Sequence, residues 1–402
     1  MHPADEIRGI KSKLLEKKRI VLAVTGSIAA VETVRLAREL IRHGATVIPV
    51  MTEAATKIIH PDALWFATGK KPIVKLTGDT EHVHYCGRVN DPVDLLLIVP
   101  STANTISKIA LGIDDTVVTT FATTAIGSHR PILIVPAMHL SMYDHNIVQE
   151  NITKLKRQNI DFIDPFIKDN KAKLANNERI IAQVIHRIGP KLLAGKKVLI
   201  IGGSTEEPID DVRCITNVSS GKTAITLATS SFFQGADVKL WYGQSNTSIP
   251  SFIPSDRFKT IADLKKMINK TTFDEYDMIV VCAALADFIP EKQDGKICSD
   301  QDVLSIQCHK AEKILPLLKD KVSRSKIIGF KLSESKNTAI EKAKELLTSS
   351  SIDAVIANTI SSINSSDQTI WIVDHTSDIE EYSGSKDDVA LHLVSYFYSV
   401  MS

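Results

Sequence analysis

The stretch RIVLAVTGSIAAVETVRLARELIRHG, residues 19–44, changes its hydrophobic period once, and that change decides the fold class. Arg19 to Val24 is a continuous run of aliphatic residues, the pattern of a strand buried on both faces. Thr25-Gly26-Ser27 follows at once and reads as a turn. From Ile28 to Arg42 apolar residues return every three or four positions, which predicts a helix, with Gly44 as its stop. Upstream, the charged segment from Asp5 to Lys18 is expected to be helical as well. The strand-then-helix cycle recurs at Thr46 to Met51, Val93 to Val99 and Pro131 to Val135, each run leading into a Ser/Thr-rich or Pro-containing turn. Alternation of this kind specifies an α/β fold with a parallel sheet covered by helices.

A chain of 402 residues exceeds one ordinary core, and two domains are the working count. Residues 186–197, HRIGPKLLAGKK, combine Gly, Pro and basic residues and suit an exposed connection. The expected domains are therefore 1–189 and 190–402. A second cycle starts with Val198 to Ile201, ends that run in Gly202-Gly203, and continues into a helix from Gly221 to Gln234. Further strands are expected at 238–242, 278–282, 326–330, 354–358 and 369–373, with helices at about 310–319, 335–348 and 386–400. The polar stretch Ser361 to Asp367 reads as a mobile loop.

Lys plus Arg number 48 against 47 Asp plus Glu, a formal charge of +1 that provides no field for nucleic acid or an anionic membrane. Small-molecule partners are expected, with any phosphate held locally. Five cysteines without metal-ligand spacing (Cys86, Cys214, Cys282, Cys298, Cys308) argue for reduced thiols, a cytoplasmic location and no zinc site. The longest apolar run, Leu95 to Pro100, is far short of the ~20 residues of a membrane span.

In open parallel sheets ligands sit beyond the carboxyl ends of the strands, so the turns carry the chemistry. Gly26, Ser27 and Ile28 place a glycine, a hydroxyl and the first amides of a helix at one strand end, which suits a phosphate. The G-x-G-x-x-G dinucleotide fingerprint is absent. Pro100-Ser101-Thr102-Ala103-Asn104 offers small polar side chains at another strand end, and Pro136-Ala137-Met138-His139 follows a third. His82 lies in a segment expected to be helical up to the Asp91-Pro92 break, with His84 as a rival and Cys86 one turn further on. In the second half Ser219-Ser220-Gly221-Lys222-Thr223 imitates the end of a P-loop, but Thr216 stands where its first glycine belongs. Anion binding at that helix start remains physically reasonable. Cys282 to Phe288 places small residues and Asp287 after a strand, and Pro290 to Asp300, with Lys292 and Lys296, reads as a mobile loop able to close over phosphates.

Together these segments resemble the bifunctional phosphopantothenoylcysteine decarboxylase / phosphopantothenate-cysteine ligase family of coenzyme A biosynthesis. The resemblance runs from about residue 18 onward. It rests on TGSIAA (25–30), MTEAA (51–55), EHV (81–83), PSTAN (100–104) and PAMHLSMY (136–143) in the first half. In the second half it rests on AGKKVLIIGGSTEEPIDDVRCITNVSSGK (194–222), AALADF (283–288), GKI (295–297) and GFK (329–331). It implies two Rossmann-like domains, an N-terminal flavoprotein holding FMN and a C-terminal ligase. Gly26, Ser27, Ile28, Thr52, Ser101, Thr102 and Asn104 would line the FMN site, His82 would be catalytic, and Met138 and His139 would meet substrate. The flavin would oxidise the substrate thiol so that the charge left by CO2 is delocalised, then reduce the product. The ligase would activate the carboxylate of 4'-phosphopantothenate with CTP and Mg2+ before cysteine displaces the nucleotide. Asn217 and Lys296 would be catalytic, Ser219, Ser220, Gly221 and Lys222 would bind substrate, and Ala284, Asp287, Phe288, Lys296, Lys310 and Phe330 would bind nucleotide. A homo-oligomer is implied, while the metal ligands are not.

The sequence departs from the family at two places. His139 stands where the family has an Asn, and an imidazole can still donate a hydrogen bond. Between Cys86 and Cys214 there is no Cys to serve as the flap's proton donor, and the matching region, Lys168 to Glu178, is polar and lacks the flap's glycines. Cys86 is a candidate substitute. Two other readings stay open: a working ligase whose flavin domain serves only binding or oligomerisation, and a tandem NAD-dependent dehydrogenase.

Overall fold

The computed structural model describes residues 2–298, 302–362, 365, 367–376 and 378–401. The chain divides into two compact units, Met1–Pro190 and Lys191–Ser402. The expected polar loop at 361–367 and the end of the expected loop at 290–300 lie partly outside the described residues.

In the first unit the strands order as Thr46–Met51, Arg19–Val24, Leu95–Ser101, Ile132–Pro136 and Asp161–Phe162, all parallel. Leu95–Ser101 is buried along its whole length, as its unbroken apolar reading requires. Each large aliphatic side chain removed from water there contributes about 1.5–3 kcal/mol before entropic costs. The chain leaves Arg19–Val24 toward one side of the sheet and resumes on the other, so the switch point falls between that strand and Leu95–Ser101.

Three local expectations are corrected here. The leader is helical only at Pro3–Glu6, because the carbonyls of Ile41, Arg42 and His43 take the amides of Gly9, Lys11, Ser12 and Leu15. The first crossover starts as a 3-10 turn, Ile28–Glu32, before the α-helix Thr33–Arg42. The His82 helix spans Glu81–Cys86 only and ends at Gly87.

A ribbon missed by sequence periodicity covers the polar segment after residue 165. Phe166–Lys168 pairs antiparallel with Lys171–Lys173, which pairs in turn with Met138–His139. The two linking residues, Asp169 and Asn170, have φ of 54° and 55°. Consecutive positive φ values define the tight I′ hairpin turn, and Asp and Asn are the side chains other than glycine that enter this region most readily. The polar stretch is therefore an ordered hairpin.

The second unit holds an eight-stranded sheet in the order Ser255–Arg257, Asp237–Tyr242, Lys197–Gly202, Met278–Val281, Lys326–Ser333, Ala354–Thr359, Asp367–Asp374 and Glu380–Ser385. The first six are parallel, and the last two pair antiparallel at one edge. Here the switch point lies between Lys197–Gly202 and Met278–Val281. Two boundaries differ from expectation. The helix Asn177–Ile188 takes in the start of the expected linker, and Lys310 belongs to the strand Cys308–Lys310, so the following helix begins at Ile314.

Candidate active sites at the two switch points

In the first unit, three strand-end turns are tied together by side-chain hydroxyls. Thr25 donates its Oγ1 proton to the carbonyl of Pro100 at 2.7 Å, and the amide of Thr102 donates back to Thr25 Oγ1 at 3.2 Å. Ser27 Oγ donates to the carbonyl of Ala137 at 3.1 Å. Gly26 sits where a Cβ would lie 2.6 Å from the Cβ of Ala54, so only glycine lets this turn approach the helix start after Thr52. Thr52 and Thr102 cap the helices that follow them, accepting from Ala55 N and Thr105 N at 3.2 Å each. The result is a ring of helix starts and hydroxyls with positive character, the chemistry that holds a phosphate.

Several groups of this unit have polar capacity to spare. Ser101 is fully buried, and its Oγ has no hydrogen-bond partner among the described residues. The same holds for the buried Nδ1 of the half-buried His82. Buried polar atoms left without partners are uncommon, and a polar ligand beside them would satisfy them. Ile28 is 77% exposed, Asn104 is exposed, and Met138 and His139 lie on the short strand that docks the hairpin. His84 packs its ring against Tyr85 and is exposed. Cys86 is fully buried in the core beside Val93 and Phe121, where burial pushes its thiol up to about 12. A side chain walled off in this way and holding its proton so tightly is no substitute for the flap cysteine, which corrects that expectation.

In the second unit a cleft of about 940 Å³ opens at the switch point. Its floor comes from two turns zipped together. The amide of Ala284 donates to the carbonyl of Gly203 at 2.8 Å, and that of Ala286 donates to Thr205 Oγ1 at 3.1 Å. Asn217 spans the edge, donating Nδ2 to the carbonyls of Ala284 and Leu285 at 3.2 and 3.0 Å. Ser219, Ser220, Gly221, Ala284, Asp287 and Phe330 line the cleft with Asn217. Gly221 has φ +66°, and a Cβ there would fall 2.2 Å from Tyr242 Oη and 2.4 Å from Ser245 Oγ. The helix Lys222–Phe233 starts directly after it, with Lys222 exposed.

Of the remaining sequence candidates, Lys222, Phe288, Lys296 and Lys310 lie off the lining of the cleft. Phe288, 60% exposed, stands opposite Lys310 on a two-stranded ribbon. Asp287 is ion-paired with Lys313. Lys292 is engaged by Asp211 at 2.7 Å, so it is not a free phosphate ligand. Lys296 is exposed and makes no ion pair among the described residues.

The stretch carrying Lys296 is tethered rather than loose as far as Ile297. Gln293 N donates to the carbonyl of Ile209, Gly295 N to Asp211 Oδ2 and Ile297 N to Asp210 Oδ2. Asp210 is a residue the motif reading passed over. Burial pushes its carboxyl upward, but the amides of Val212, Arg213 and Ile297 and the Arg213 guanidinium overcome that and hold it down at about 2. Glu207, also buried and unassigned from sequence, accepts the amide of Ile261 at 2.9 Å. Only the STEEPIDD run carried a signal for either residue. Among the described residues no group of three or more His, Cys, Asp or Glu could hold a metal ion, and no helix is long and apolar enough to cross a membrane.

Fold and turn chemistry thus define a tandem α/β protein with a polar turn cluster at the switch point of each sheet. Residues 8–189 match the family described as Flavoprotein, and residues 193–400 match the DNA/pantothenate metabolism flavoprotein C-terminal domain. The coenzyme A biosynthesis bifunctional protein CoaBC of Thermococcus kodakarensis is 44% identical over 93% of this chain and 93% of its own. That of Methanocaldococcus jannaschii is 39% identical over 98% of this chain and 96% of its own. A crystal structure of the DNA/pantothenate metabolism flavoprotein from Streptococcus pneumoniae aligns at 22% identity with a TM-score of 0.47, covering 51% of this chain and 99% of that one. The chain belongs to the family of CoaBC bifunctional proteins of coenzyme A biosynthesis.

Proposed function

We propose that residues 190–402 couple 4'-phosphopantothenate to cysteine at the expense of CTP, and that residues 1–189 decarboxylate the product to 4'-phosphopantetheine with bound FMN. The observation that carries this reading is that each unit gathers its motif residues at its own switch point. Thr25, Ser27 and Thr102 do so in the first, and Gly203, Asn217 and Ala284 in the second.

The residues of the first unit fit a flavin mononucleotide. Gly26, Ser27 and Ile28 with Thr52 would take its phosphate, and Ser101, Thr102 and Asn104 would meet the rest, giving the orphaned Ser101 Oγ a partner. Bound FMN supplies a two-electron oxidation of the substrate thiol that makes loss of CO2 feasible, and later returns those electrons. His82 would orient the cysteine carboxylate or move a proton at its thiol. His139 would donate to the substrate carboxylate from the strand against which the hairpin lies. That ordered hairpin favours a working decarboxylase over a purely structural flavin domain, since it pairs directly with the short strand that carries Met138 and His139.

In the second unit, carboxylate attack on the α-phosphate builds negative charge that Lys296 would neutralise, while Asn217 would donate to the acyl carbonyl. Ser219, Ser220, Gly221 and Lys222 would hold substrate or phosphate. Ala284, Asp287, Phe288, Lys310 and Phe330 would hold the nucleotide. Mg2+ would enter on the triphosphate oxygens, as expected where the described residues offer no carboxylate cage. The free thiols fit a cytoplasmic enzyme. A homo-oligomer is what the family resemblance implies.

The test is one incubation of the full chain with 4'-phosphopantothenate, cysteine, Mg2+ and each nucleoside triphosphate, products being identified by mass. Lys296→Ala and Asn217→Ala should abolish the amide. His82→Ala should accumulate it without CO2 release. A chain lacking yellow chromophore and cleaving no triphosphate would overturn the reading.

A further inference from the structure

Lys386 is a charged side chain that the assigned chemistry leaves without a role. It opens the helix Lys386–Met401, is 7% exposed, and lines the same cleft as Asn217 and Gly221. It makes no hydrogen bond or ion pair among the described residues, so its ammonium has no protein partner at the cleft it lines. The acidic residues of its own first turn do not relieve it. Asp387 and Asp388 are exposed, and Asp388 is bonded to Ser385 at 2.6 Å.

The charge nearest to it has the same sign. Burial first, and then repulsion by the Lys222 ammonium, lower the pKa of Lys386. Lys222 begins its own helix, and the two helices, Lys222–Phe233 and Lys386–Met401, pack on each other. Two helix starts therefore meet at the cleft, which Gly221, Thr223 and Lys386 line, and the Lys222 between them adds a second like charge that a bound polyanion would offset.

We propose that Lys386, with Lys222, holds the terminal phosphates of the nucleoside triphosphate and the pyrophosphate that leaves, as a positioning contact separate from the Lys296 loop. The assignment rests on the ligase reading for the identity of the anion. The phosphomonoester of the acid substrate offers similar chemistry, and the test separates the two. Gln368 and Asn358, neutral donors on the same lining, extend the wall, so an anion longer than one phosphate fits better than a monoester.

Binding is read first, without turnover, by titrating inorganic pyrophosphate into the full chain calorimetrically. Lys386→Gln should weaken pyrophosphate at least about tenfold, and Lys386→Arg should restore most of the affinity. In the coupled assay Lys386→Gln should raise the KM for triphosphate with little change in kcat or in the KM for 4'-phosphopantothenate. Decarboxylation of preformed phosphopantothenoylcysteine serves as the folding control and should stay at the wild-type rate. Unchanged pyrophosphate affinity in a folded Lys386→Gln protein would overturn the proposal. So would a KM rise confined to 4'-phosphopantothenate, because it moves the lysine to the monoester. Should wild type bind pyrophosphate through Lys386 yet form no amide, the ligase reading fails while the anion site stands.

Discussion

Asp210 and Ile297 are 87 residues apart in sequence, yet the Asp210 carboxylate accepts the Ile297 amide at 3.1 Å, one residue beyond Lys296. The same carboxylate takes the amides of Val212 and Arg213 at 2.8 and 2.6 Å, so one buried side chain ties the 210–213 turn to the segment that presents the lysine. Asp210→Asn keeps the shape but turns one acceptor into a donor facing N–H groups. It should lower the melting temperature of the second unit by several degrees and slow amide formation at least about tenfold, with decarboxylation of preformed substrate unchanged. Calorimetry and the two separate assays check this.

The acid limit of the second unit follows from the same group. Its folded pKa, held at about 2, lies below the ordinary value of 3.8, so its stabilisation is present in full above about pH 4. It is lost as pH falls toward 2. Wild type should therefore lose stability over that interval more steeply than Asp210→Asn, as followed by tryptophan fluorescence. Equal slopes would refute the assignment.

Gly221→Ala should be among the most damaging small changes in the cleft. It places a methyl group against Tyr242 Oη and Ser245 Oγ in a backbone region with φ +66°. Strain of about 1–3 kcal/mol at this turn should displace the Ser220 carbonyl from the hydroxyls of Ser245 and Thr247. Amide formation should then fall at least about a hundredfold, measured beside a thermal melt.

Thiol chemistry should divide the cysteines. Cys214 is exposed and should react with iodoacetamide at pH 8, whereas Cys86, buried with its thiol pushed up to about 12, should stay unmodified until the chain unfolds. Cys86→Ala should leave CO2 release intact and cost about 1 kcal/mol through the small cavity it opens. Mass mapping of alkylated peptides reads the first outcome.

Asp169→Pro should damage the first unit selectively. Proline cannot take the φ of 54° that the hairpin turn requires, so the ribbon over Met138 and His139 should come undone. Decarboxylation should drop more than about tenfold while amide formation stays at the wild-type rate.

What could be read from sequence was what is written locally. The strand Arg19–Val24 and its turn stood out because a period change and a glycine lie within a few residues, and the Gly202-Gly203 and Gly221 turns for the same reason. The leader misled because its amides are claimed by Ile41 to His43, a contact that periodicity does not register. The hairpin was hidden because Asp169 and Asn170, not glycines, take the positive φ values. Asp210 was marked only by its place in the STEEPIDD run, and Lys386 carries no local signal. The partner of one is 87 residues distant, and the other matters only once two remote helices meet.

The hairpin turn also bears on how the ribbon moves. A cover hinged on glycines would flutter, opening a little at many angles. One closed by a two-residue reversal and stitched to Met138–His139 through Lys171 and Ala172 must peel away as a stiff tongue. Displacing it requires several backbone ladder bonds to break together, so the ribbon moves as one piece or not at all.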